Sequence, residues 1–264
     1  MKTYLKIIGV ALIAVIFNSC TLELQEPFDF QPENTFADPF QNMTAWEHIQ
    51  TRTSGGLVDD QGRKRLDGEE LDYMIAAIKR VGYEDLYNQT STERTYLLLN
   101  NNAFTGGNRD RDILRVITGR TQSPAARVDA DEVMAAITSE EQLNMLKAVL
   151  RYHIVSEKVA QVPKLTIFDK NFVFKTILPA LTLDVNGLPT GLSNGNAEIV
   201  FRRDIEWKME VNPISSPLIS TAIGPGFNEK VRSHNYVFNN GIGHYLNDPV
   251  RYHPIPFYEN FNVD

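Results

Sequence analysis

His48, His153, His234, His244 and His253 are the side chains best suited to metal ligation or proton transfer, yet no two share the His-x-x-x-His spacing that places two imidazoles on one helix face. No metal site is therefore expected. The nucleophile and phosphate signatures are missing as well: there is no Gly-x-Ser-x-Gly elbow, no Gly-x-x-x-x-Gly-Lys loop and no Gly-x-Gly-x-x-Gly turn. Glu69-Glu70 and Glu140-Glu141 have the composition of a glycoside-cleaving pair. Neighbours on a helix, however, point about 100° apart, and acids at these places complement a helix dipole. Asp59-Asp60 and Asp110 with Asp112 could ligate calcium, but they lack EF-hand spacing and arginines stand among them. The expectation is no catalytic residue and no cofactor.

Cys20 is the only cysteine in the 264 residues. Lys2 and Lys6 precede an apolar run from Ile7 to Phe17, which has the layout of a signal peptide and is shorter than the about 20 residues needed to cross a bilayer core. Asn18-Ser19-Cys20 then resembles the lipobox of Bacteroidetes-type lipoproteins, with residues 1–19 removed and acyl chains placed on Cys20. The other reading is an ordinary secretory leader with an incidental cysteine. A thiol consumed by lipid leaves the mature chain without disulfides or thiolate metal sites. Removing Lys2 and Lys6 with the leader takes the net charge from −7 to −9, and so acidic a chain is poorly suited to phosphate contacts. Nucleic acid is not an expected partner; the membrane, reached through the N-terminal lipid, is.

Residues 20–40 carry prolines and acids without periodicity and form a tether. Glu23 and Glu26 resemble an export signal to the outer surface, or simply solvate a linker. After it, Thr44-Ala45-Trp46-Glu47 has capping-box spacing, with Trp46 and Ile49 facing inward. Asp67-Gly68-Glu69-Glu70 offers a second start, and Leu71, Met74, Ile75 and Ile78 recur at helical spacing before Gly82. Residues 52–65 between them read as a loop. Thr95 to Leu99 reads as a strand running into a turn, and residues 129–137 and 139–150 read as helices.

Beyond His153 the texture becomes strand-like, at Phe172-Val173-Phe174, Leu181-Thr182-Leu183, Ile199-Val200-Phe201 and Trp207-Lys208-Met209. Asn240-Gly241 separates Tyr236-Val237-Phe238 from His244-Tyr245-Leu246, a hairpin signal. The closing aromatics Tyr245, Tyr252, Phe257, Tyr258 and Phe261 suit burial of the tail or stacking on sugars. Helices first and strands later predict an α+β fold, one domain over 41–264.

Three segments taken in order resemble the fasciclin family. Residues 95–104, with Thr95, Asn102, Ala103 and Phe104, look like its first box. Leu150 to Val155, with Tyr152 and His153, looks like its tyrosine–histidine motif. Asn240 to Leu246, with Gly241 and His244, looks like its second box. The family places Asp three residues after the second-box histidine; here Asn247 holds that position and Asp248 follows. The stretch 156–239 exceeds the family norm and reads as an insertion. The resemblance implies a wedge of strands with helices packed on it, an enlarged second half, and a non-enzymatic adhesion or binding role outside the cell, with a polysaccharide or surface protein as partner. Elementary packing gives the same residues structural work: Ala103 and Phe104 in the core, Tyr152 and His153 fixing a helix end to the sheet. Two further readings are an assembly subunit of an outer-membrane glycan-uptake complex and a glycan hydrolase whose acids meet only in the fold.

Overall fold

A computed structural model describes residues 39–55, 68–106, 111–120, 129–222 and 227–264. The expected leader, Cys20 and most of the tether lie outside these residues, as do Asp59, Asp60 and Asp110. Among the described residues no helix is long and apolar enough to cross a membrane.

Helix α1 (Ala45–Thr51) starts where the capping box places it: the Glu47 amide donates to Thr44 Oγ1 at 3.1 Å and the Thr44 amide to Glu47 Oε2 at 2.7 Å. Trp46 and Ile49 are buried as expected. In α2 (Asp72–Val81) the predicted stripe of Leu71, Met74, Ile75 and Ile78 is buried, and Gly82 ends the helix at a left-handed φ of 71°. Its start differs from the sequence reading. Leu71 precedes it without a side-chain cap, because Glu70 accepts the Gly68 amide at 3.1 Å and Glu69 is drawn toward the sheet by Tyr236 Oη at 3.0 Å. The short α3 (Glu84–Asn88) leads into strand β1 (Arg94–Leu99).

The turn expected after β1 is instead one short helix, α4 (Asn101–Thr105), capped by the Asn100 side chain on the Ala103 amide at 3.3 Å. Helices α5 (Ile113–Thr118), α6 (Ala130–Ala135) and α7 (Glu140–Tyr152) follow. Ser139 caps α7 through the Gln142 amide, and Glu140 and Glu141 occupy its first turn.

The second half is mostly strand: β2 (Ile154–Val155), β3 (Phe172–Leu183), β4 (Pro189–Arg203), β5 (Met209–Val211), β6 (Glu229–Lys230), β7 (Ser233–Phe238) and β8 (Gly241–Leu246). The α+β order holds. Two of the short runs predicted from sequence, at 172–174 and 181–183, are ends of one long strand, β3. Trp207 lies outside β5, in a turn at φ 65°. The sheet order is β6-β5-β4-β3-β2-β1-β8-β7, antiparallel throughout except for β1 against β8. That parallel pair sits deep: β8 is buried at every position and β1 from Thr95 to Leu99. Of the closing aromatics, Tyr245 and Tyr258 are fully buried, and Tyr252, Phe257 and Phe261 pack on the core partly covered.

The hairpin turn falls at Asn239-Asn240, one residue earlier than expected, and Gly241 is the first residue of β8, paired with both Phe238 and Arg94. Its φ is 149°, and a Cβ built there would lie 2.0 Å from the Arg94 carbonyl oxygen. Close approach of two strands, as well as turn conformation, demands glycine here. Gly241→Ala is expected to cost about 3 kcal/mol or more, read as a drop in the urea midpoint of the protein. The comparison is Gly191→Ala, where nothing lies within 4 Å of the added carbon, which should move the midpoint far less.

Candidate functional site

The motif residues converge on the β1–β8 pair and the segments braced against it. Asn240 is fully buried. Its Nδ2 donates to the carbonyls of Tyr87 at 2.8 Å and Gln89 at 2.9 Å and lies 3.2 Å from Tyr96 Oη, while Oδ1 accepts the Ala45 amide at 2.9 Å. One amide side chain thus joins the start of α1, the end of α3, β1 and the hairpin.

Thr95 and His244 grip the chain that leaves β2. Thr95 Oγ1 donates to the Glu157 carbonyl at 2.7 Å and accepts the Val159 amide at 2.8 Å. His244 Nδ1 accepts the Asn235 amide at 3.1 Å, so its proton belongs on Nε2, which lies 2.8 Å from the Val159 carbonyl. His153 has the opposite tautomer: Nε2 accepts the Val250 amide at 3.1 Å and Nδ1 donates to the Val149 carbonyl at 2.7 Å. Tyr152 Oη donates to the Glu198 carbonyl at 3.0 Å and accepts from Asn212 Nδ2 at 2.8 Å. Ala103 and Phe104 are fully buried in the core.

Asn102 differs from its neighbours. It is exposed, and the side-chain bonds of the first box fall to the buried Asn100 and the half-buried Asn101. Asn100 Nδ2 donates to the Gly68 carbonyl and to Asn247 Oδ1, both at 2.6 Å, so Asn247 still accepts a half-buried bond. Asn101 accepts the Tyr73 amide at 3.2 Å and donates to Asp72 at 2.8 Å. Sequence reasoning missed Asn212, which is buried at φ 49°, exchanges bonds with the Val200 backbone at 2.8 and 3.0 Å and holds Tyr152. The available signal was an Asn before a Pro, a residue type that tolerates the left-handed region.

Electrostatically the frame is quiet. Burial pulls His153 and His244 down to about 4, only partly opposed by their hydrogen bonds to the Val149 and Val159 carbonyls, so both are neutral near pH 7. His48, 3.0 Å from Tyr245 Oη, is lowered to about 4 by burial and then by Arg52. His253 is lowered to about 4 by burial and has no hydrogen-bond partner on either ring nitrogen. It borders a void of about 10 Å³ lined by Val149, Tyr152, Leu178 and Tyr258, room for about one water. Glu229 shifts the other way, to about 7, through burial and the Asp248 carboxylate, with Arg111 opposing.

Thr95, His153 and His244 spend their donors and acceptors on backbone. Glu69 and Glu70 bond to the sheet and the Gly68 amide, and Glu140 and Glu141 sit on the first turn of α7, so neither pair forms two facing carboxylates. Among the described residues, no three His, Asp or Glu side chains are grouped to hold a metal.

No family model matches the chain, and no curated protein does. Among solved structures, a FAS1 domain pair from the insect cell adhesion molecule fasciclin I is similar, at 12% identity and a TM-score of 0.43, over 74% of this chain and 51% of that one. The chain thus spans about half the length of that structure. A likeness so slight decides nothing about this chain's activity.

The buried imidazoles set the acid response. A histidine lowered from 6.5 to about 4 on folding contributes stability that is present above pH 6.5 and lost as pH falls toward 4, and His48, His153, His244 and His253 all act in this sense. Glu229, raised from 4.5 to about 7, contributes stability below pH 4.5 that is lost as pH rises through 7, so it offsets one of the four. The expected result is a loss of stability between pH 6.5 and 4 with net uptake of several protons, measured as urea midpoints against pH. A flat profile over that window would contradict neutral burial of these rings. Asn240→Ala should cost about 3 kcal/mol by the same measurement, since it strands the Ala45 amide and the Tyr87 and Gln89 carbonyls.

Proposed function

We propose that this chain is a lipid-anchored surface lipoprotein with a fasciclin-like body and no enzymatic activity, serving adhesion or the binding of a polysaccharide or protein outside the cell. The observation that supports the body is geometric. The three sequence segments that resemble fasciclin boxes meet at one buried frame, where Thr95, Asn240 and His244 brace β1 against β8 and Tyr152 and His153 fix the end of α7. A frame whose polar side chains bond to backbone holds shape and leaves none of them for turnover. The anchor rests on the leader pattern and the single Cys20, and the proposed cell-surface placement in the outer membrane rests on Glu23 and Glu26, which resemble an export signal to the outer surface.

Anchoring stabilises the membrane-bound state through acyl burial at about 0.8 kcal/mol per methylene, which a polar body of this charge could not match. Cys20→Ser should shift the protein from the membrane to the soluble fraction, and mass spectrometry of the native N-terminus should find acyl chains on Cys20. An unmodified thiol there would overturn the anchor. Protease treatment of intact cells should remove the protein; full protection would place it on the periplasmic side. Binding to a glycan array or to a surface protein, without turnover of any glycan, is the result expected of the body.

The second reading, an assembly subunit of an outer-membrane glycan-uptake complex, is favoured by where the uncovered apolar side chains lie. Every exposed large hydrophobic among the described residues falls between Val162 and Ile219, inside the stretch expected to be an insertion. A stoichiometric partner co-purifying from membranes would favour it over ligand binding.

A further inference from the structure

Five of those exposed side chains lie on two adjoining segments at the base of the β3–β4 hairpin: Val162, Ile167, Phe168, Ile205 and Trp207, each between 53% and 70% exposed. Val162 lies in the short helical turn Gln161–Lys164 and the others in the two loops that follow it and β4, which Arg203 clasps together. Its carbonyl accepts the Asp169 amide at 2.8 Å, its Nη2 donates to the Thr166 carbonyl at 2.9 Å, and its guanidinium lies 3.9 Å from the centre of the Trp207 ring. Gln161 closes the other side by donating to the Trp207 carbonyl.

Both loops hold residues in the left-handed region, Asp169 at φ 55° and Trp207 at φ 65°. A bulky residue there is strained by roughly 1–2 kcal/mol and persists only when its surroundings impose it. Here the turn does so: the Trp207 amide donates to the Asp204 carbonyl at 3.1 Å and the Lys208 amide to Asp204 Oδ1 at 2.8 Å. Glycine would fit that position without strain, and the chain displays an indole from it.

The five side chains expose on the order of 500 Å² of apolar surface, at the upper end for a monomer. With a polar rim that approaches the about 800 Å² per partner of a standard interface. The make-up matches the energetic centre of a protein interface, with exposed Trp and Phe side chains and Arg203 buried beneath Trp207 as its support. Charge decides what can approach. Residues 157–170 and 203–208 carry five lysines and arginines against four carboxylates in a chain of net charge −7. Several of these already neutralise one another, as Lys164 does with Glu157 at 2.9 Å and Lys208 with Glu206. Two copies of so acidic a protein repel over most of their surfaces, and this face is a place where they do not. A near-neutral rim also gives an anionic bilayer or a nucleic acid no attraction.

We infer that this face is the contact between two copies of the chain, a two-fold interface centred on Trp207 and Phe168. The inference is independent of the lipid anchor and of any ligand. The full mature chain carrying Cys20→Ser is examined by analytical ultracentrifugation from about 1 to about 200 µM, with tryptophan emission followed over the same range. A twofold rise in mass is expected, together with a blue shift that reports Trp207, since Trp46 is only 8% exposed and already buried. Trp207→Gly relieves the backbone strain, so folding should survive. That variant and Phe168→Glu should each weaken dimerisation by roughly tenfold or more without changing the circular dichroism spectrum. A monomer at every concentration overturns the inference, and so does a dimer that both variants leave intact. A monomer whose Trp207 emission shifts only on adding neutral lipid vesicles or soluble glycan overturns it in favour of that other occupant.

Discussion

The parallel pairing of β1 with β8 is the constraint on which the rest of the structure depends. Arg94 lies opposite Gly241, 147 positions later, and the register runs unbroken to Leu99 opposite Leu246. Parallel neighbours cannot be joined by a tight turn, so everything between them has to leave and return. Closing so long an excursion costs only slightly more than closing a shorter one, because loop entropy grows with the logarithm of length. An enlarged second half is therefore compatible with the same central pair, provided the pair itself is stable. Gly241 lets the strands meet at Arg94, and the Asn240 side chain seals the corner above them.

That corner and its neighbours are held by neutral polar groups. Burying a charged imidazole would carry a large desolvation cost, whereas a neutral ring offers one donor and one acceptor and can cross-link two backbone groups. His153 joins the Val149 carbonyl to the Val250 amide, and His244 joins the Val159 carbonyl to the Asn235 amide. Each ties segments remote in sequence. The same economy leaves His153 and His244 no free nitrogen to offer: their low pKa comes from desolvation, and the geometry spends both ring atoms.

How much of this was legible in the sequence follows from the range of the interactions. The capping box at Thr44, the apolar stripe of α2, the Ser139 start of α7 and the hairpin near Asn240 rest on contacts within a few residues, and each appears close to its expected place. What failed was non-local. Glu69 was expected to serve the start of α2, but Tyr236, 167 positions away, takes its carboxylate. The predicted strand at Trp207 ignored a tight turn that Asp204 imposes through its side chain. Asn102 had the right residue type, but Asn100 and Asn101 precede it with equal chemistry, and only the direction of β1 as it meets α4 decides which of the three turns inward. His153 and His244 were legible as structural residues because their motif neighbours implied burial; which nitrogen carried the proton was not.

A division of labour follows from burial. Of the nine motif positions, Asn102 is exposed and the side chains described above at Thr95, Tyr152, His153, Asn240 and His244 point into the frame, so they cannot also form the surface that meets a partner. Apart from Asn102, a surface that meets a partner would draw on residues outside the boxes. The side chains with apolar area to offer are concentrated between 162 and 219, on loops and strand ends that the central pair tolerates but does not need. A frame fixed by neutral hydrogen bonds and the proposed contact face carried on the excursion between its two halves can then vary separately: changing Phe168 or Trp207 leaves every bond of Asn240 in place, whereas changing Asn240 undermines the platform from which both loops project.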